Sequence, residues 1–175
     1  AHTLQSTDLI AVSNFILAQI QYHLENYTSA YNHLQQALTA AKQHDPEQYK
    51  MSIYALFCLV LDKLNQSNRA DKLYQNLLKQ LPSSIPPVRR AECYYLIAKR
   101  QVSIGEEEAL YSIIQGEKVA KEQGINGWSL KLKALLAHSQ FTSEEYSQSY
   151  QDLLQQMCEH MSPEQRTLIE DHLYP

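Results

Sequence analysis

The chain has 175 residues, a mass of 20.2 kDa and a formal net charge of −4. With 44% apolar and 19% charged residues it is neither a disordered chain nor a membrane protein, and a pI near 6.0 leaves no basic face for general nucleic-acid binding. Cys58, Cys93 and Cys158 are odd in number and widely scattered, which suits a reducing, cytoplasmic setting; four Gly and six Pro disfavour a turn-rich β fold.

Helical periodicity runs from end to end. Leu9, Phe15, Ile16, Ile20 and Leu24 predict a first helix capped by Ser6, Thr7 or Asp8, and a turn follows at Asn26 and Tyr27. Tyr31, Leu34, Ala37, Leu38 and Ala41 form the stripe of a second helix, from about 28 to 44. The third, about 46–64, is apolar all round from Ile53 to Leu61 and is expected to be buried on several sides. That run is less than half of a bilayer span, and no basic start precedes an apolar stretch, so neither a membrane segment nor a signal peptide is expected. A fourth helix spans about 67–80, and the Pro82, Pro86 and Pro87 loop cannot continue it. Helices at about 87–103, 106–122, 128–138, 143–160 and 163–173 complete the chain, with breaks at Gly105 and at Gly124 to Gly127. Short turns make neighbouring helices antiparallel.

The even-numbered helices repeat a pattern: Ala30-x-x-x-Leu34, Ala70-x-x-x-Tyr74, Ala109-x-x-x-Ile113 and Tyr146-x-x-x-Tyr150. Their first positions are 40, 39 and 37 residues apart. Each of the first three is preceded by a bulky–small set: Leu17-Ala18, then Tyr54, Phe57 and Cys58, then Tyr94, Ile97 and Ala98. Small anchors let two helices cross closely, while large neighbours fill the groove between hairpins.

This pattern resembles the tetratricopeptide repeat (TPR) family in a long-repeat variant. The resemblance covers residues 1–175 as one all-α domain, with repeats at about 8–45, 46–82, 87–123 and 127–161 and a terminal capping helix at 163–173. It implies a right-handed superhelical stack of four antiparallel hairpins. Asn14 stands where an aromatic is common, Tyr146 replaces the small fourth anchor, and the register of the Trp128 helix is open.

Residue chemistry points away from catalysis and metal binding. Cys158-x-His160 is the only close ligand pair, with His172 a helix later, and the glycines are too dispersed for a phosphate cradle. Glu106-Glu107-Glu108 opens a helix, where carboxylates favour the positive end of the dipole. Asn26-Tyr27-Thr28 and Asn65-Gln66-Ser67 read as turn residues rather than glycosylation sites. No cofactor and no metal are expected.

In the family, the first helix of each hairpin lines a concave groove that holds a peptide or helix of a partner. Transferred to this sequence, that geometry gives Gln19, Tyr22 and His23, with Phe15; then Asp62 and Lys63, with Ser52 and Leu59; then Glu92, Tyr95 and Lys99. The lysine–asparagine clamp of chaperone-adaptor repeats is not reproduced. The resemblance thus implies a non-catalytic protein-interaction module, the sensor or scaffold region of a larger regulatory protein. The alternative is a small-ligand or signalling-peptide receptor with a closed apolar pocket lined by Phe15, Tyr22 and Tyr95.

Overall fold

The computed structural model describes residues 2–44, 47–79, 85–159, 161–165 and 167. Among them lie eight helices: α1 (His2–His23), α2 (Tyr27–His44), α3 (Glu47–Lys63), α4 (Ser67–Lys79), α5 (Pro87–Ile104), α6 (Glu108–Glu122), α7 (Asn126–Ala137) and α8 (Glu144–Met157). No strand occurs among the described residues. Pro163 to Gln165 is helical, and the rest of the expected terminal helix falls mostly outside the described residues, as does the Leu81 to Ser84 part of the proline loop. The first helix starts earlier than expected. Ser6, Thr7 and Asp8 lie inside α1 rather than capping it, because Leu4 and Gln5 ahead of them are good helix formers.

The chain divides into two compact units, Ala1–Arg89 and Arg90–Pro175. In the first, α1 packs on α2, α2 on α3 and α3 on α4, and α1 also touches α3, so one hairpin lies against the next. The small anchors sit where backbones approach: Ala18, Ala30 and Ala70 are fully buried, and Cys58 is 1% exposed. Ala41 is equally buried despite its place near a helix end. The rings of Tyr31 and Phe57 meet between α2 and α3 at a 59° tilt, with centroids 5.1 Å apart. From Ile53 to Leu61 every side chain is buried except half-buried Tyr54. Asn14 has a role of its own: its Nδ2 donates to the Ile10 carbonyl at 2.9 Å, and its Oδ1 lies 2.9 Å from His33 Nδ1. Since that oxygen can only accept, His33 carries its proton on Nδ1 and ties α2 to α1.

In the second unit α6 packs on α7 and α7 on α8. Leu130, Ala134, Tyr150, Leu154 and Cys158 form a buried cluster, with Ala137 and Leu153 at its margin. Ala98 and Ala109 are fully buried anchors. Tyr146, in place of a fourth small anchor, is only half-buried near the start of α8, where its N–H donates to the Ser143 hydroxyl.

Three turns repeat at the backbone level. Leu24-Glu25-Asn26, Leu64-Asn65-Gln66 and Ile104-Gly105-Glu106 each end a helix with a left-handed central residue, at φ 60°, 58° and 76°. In each, the central N–H donates to a carbonyl three residues back and the next N–H to one five residues back, as in Asn26 N–H to Gln21 at 2.8 Å. Positions 25, 65 and 105 are 40 apart, so the period seen in the anchors is also the period of the turns. A fourth turn of the same form joins α6 to α7 at Gly124, φ 65°.

Glutamate pays a steric cost in that conformation that glycine avoids. Glu25→Gly is therefore expected to stabilise the protein by about 0.5–1 kcal/mol. Gly124→Ala should destabilise it by about 1 kcal/mol or more through φ alone, since a Cβ there would meet nothing within 4 Å. Opposite shifts of the midpoint in urea unfolding check the pair.

Candidate functional site

In the second unit the structure brings α5 and α7 together through an aromatic and cationic cluster. The rings of Tyr95 and Trp128 lie 5.6 Å apart at 50°. Lys131 Nζ is 4.9 Å from the Trp128 centroid and 5.9 Å from that of Tyr95. Glu92, one turn before Tyr95, is only 3% exposed. Burial pushes the Lys131 ammonium below the usual lysine range, and the Glu92 carboxylate partly opposes this. Trp128 and Lys131 are half-buried and Tyr95 is buried.

Ala98 on α5 and Ala134 on α7 are both fully buried. Sequence reasoning missed Trp128 and Lys131 as site residues; the single Trp of the chain with a Lys one turn later was the signal that could have found them. Tyr95 is 9% exposed, with its ring beside that of Trp128. Lys99, on the next turn of α5, is half-buried, whereas Glu92 is packed inside.

The five remaining expected residues belong to the first unit. Gln19, Tyr22 and Asp62 are half-buried; His23 and Lys63 are exposed. Tyr22 meets His23 and Tyr27 edge-on, at 5.9 and 5.7 Å between centroids, and Lys63 Nζ lies 6.0 Å from the Tyr27 ring. Tyr27, at the first position of α2, thus links Tyr22 to Lys63. Phe15, Ser52 and Leu59 are 2%, 0% and 4% exposed, and they build the core rather than a binding wall. An open depression of about 660 Å³ beside the first turn is lined mainly by uncharged polar groups such as Gln21, Asn26 and Asn32. It does not include Phe15 or Tyr22.

A second polar group ties three helices together. Glu117 Oε1 on α6 lies 3.0 Å from Lys133 Nζ on α7 and 3.0 Å from Lys121 Nζ. Lys133 also donates to the Ser149 hydroxyl on α8. Burial alone would raise the Glu117 carboxyl; the two ammonium groups outweigh it and hold the group below the usual carboxylate range.

Among the described residues no three His, Cys, Asp or Glu side chains are gathered to hold a metal, and no helix is long and apolar enough to cross a membrane. Cys58, Cys93 and Cys158 are buried free thiols; His160 and His172 lie outside the described residues. The chain matches no family model, and comparison with curated proteins and with solved structures finds no match.

Proposed function

We propose that the protein is a non-catalytic interaction module of the tetratricopeptide type, in which the α5–α7 face takes a peptide or helix of a partner protein. The observation that carries this reading is the Tyr95–Trp128–Lys131 cluster, in which rings from α5 and α7 meet beside a half-buried cation. Half-buried Trp beside a cation offers large contact area at small entropic cost, the composition typical of binding hot spots. Lys131 would meet an acidic group of the bound segment beside an apolar one that covers the indole. In this reading the four hairpins stack as a right-handed superhelix, and the module serves as the sensor or scaffold region of a larger cytoplasmic regulator. The open, polar depression of the first unit favours an extended segment over an enclosed small ligand.

The test starts from capture of a partner with the 175-residue chain and titration of the segment it contributes. Lys131→Glu should weaken binding at least tenfold, about 1.4 kcal/mol, and also lower the melting temperature, because the new carboxylate stands near that of buried Glu92. Trp128→Ala should weaken binding and also loosen Tyr95. A folded Lys131→Glu variant that binds like wild type would remove the α5–α7 face from the function.

A further inference from the structure

α1 buries a narrow side and leaves a broad apolar one open. Ala11, Phe15 and Ala18 face the core, whereas Leu9, Ile10, Ile16, Leu17, Ile20 and Leu24 are 66%, 49%, 48%, 41%, 47% and 61% exposed. From Leu9 to Leu24 there is no Asp, Glu, Lys or Arg. A solvent-facing helix normally carries charge on its outer side, as α4 does with exposed Asp71 and Lys72. The open face of α1 has another regularity: Ile10, Ser13, Leu17, Ile20 and Leu24 are spaced three, four, three and four residues apart around Leu17, the spacing of a seam between paired helices.

We propose that this face binds a second copy of the chain, α1 against α1, antiparallel about a two-fold axis near Leu17. Reversal about Leu17 sets Ile10 opposite Leu24 of the other copy and brings Ser13 within one residue of facing Ile20. An isologous contact brings each group near its own kind, so a charged face would repel itself; this uncharged one does not. The six side chains expose roughly 500 Å² per copy, about 1,000 Å² for the pair when all are covered, the minimum for a biological interface and the size of a weak, reversible one; apolar patches of that size on monomers often serve as interaction sites. A lipid surface is the poorer occupant, because interfacial helices carry a Lys/Arg-rich polar face that this stretch lacks. The surface is independent of the α5–α7 cluster.

Sedimentation equilibrium of the full chain over about micromolar to about 100 µM, the range expected of a small interface, should show the 20.2 kDa species doubling its mass. Leu17→Glu with Ile20→Glu should stay at 20.2 kDa with unchanged helical circular dichroism. Under oxidised glutathione, Leu17→Cys should form a disulfide-linked dimer, whereas Leu78→Cys, equally exposed on α4, should not. Wild type that stays monomeric, a dimer that survives the two glutamates, or a monomer that co-sediments with anionic vesicles would overturn the proposal. If the glutamate variant fails to fold, the cysteine pair decides: no cross-link at position 17 overturns it.

Discussion

Glu117→Gln is expected to cost about 3 kcal/mol, since removing one partner of a buried ion pair leaves the other charge uncompensated. The stranded group would be Lys133, whose side chain is only 8% exposed. Lys121 is 64% exposed and stands at the same 3.0 Å, so Lys121→Ala should cost less than about 1 kcal/mol. Glu117→Leu combined with Lys133→Met should recover most of the loss, because apolar packing often replaces a buried pair at little cost. The dependence on pH gives a second check. The folded carboxyl of Glu117 sits below its unfolded value, so its contribution is full above the ordinary glutamate range and is lost as pH falls through the lower folded value. The gap in melting temperature between wild type and Glu117→Gln should be constant above about pH 5 and narrow toward acid. A gap that widens there would show that the ion pair is not the cause.

Gly116→Ala should destabilise the protein by about 1–3 kcal/mol, although alanine is the better helix former by about 1 kcal/mol. An added Cβ would lie 2.8 Å from Tyr94 Cβ and 2.9 Å from Leu132 Cδ1. Tyr94 Cβ moves only with the α5 backbone, and Leu132 is fully buried with nowhere to retreat. Gly116 is therefore a point of close approach of α6 to Tyr94 on α5 and Leu132 on α7. Gly127→Ala is the control: a Cβ there meets nothing within 4 Å, and the change should be neutral or stabilising. Melting temperatures should fall by about 2–4 °C per kcal/mol for the first variant. Equal melting temperatures for both would mean that α6 is not clamped between its neighbours.

Most helix boundaries were legible because turn chemistry and periodicity agree. Asn65 and Gly105 announce their turns, and Ala30, Ala70 and Ala109 mark the crossings. Three features were not. Lys133 looks like a surface lysine because its partner Glu117 is on another helix, far from any helical spacing. The α5–α7 cluster was obscured because Tyr95 and Trp128 stand 33 residues apart on separate helices, and no local spacing pairs them. The orientation of α1 was hidden for a different reason: apolar residues occur all round it, so no face stands out as the one to bury. Leu17, read as a hairpin-filling residue, is accordingly found facing outward.

The left-handed turn positions carry glutamate at 25, asparagine at 65 and glycine at 105. Tolerance of that conformation rises in the same order, so the joint least at ease is the one made first during synthesis. The opening hairpin leaves the ribosome holding the most strained joint and the most apolar outer helix, and its contact with α3 must wait for later residues. Until then its strained turn has only the α1–α2 packing to hold it.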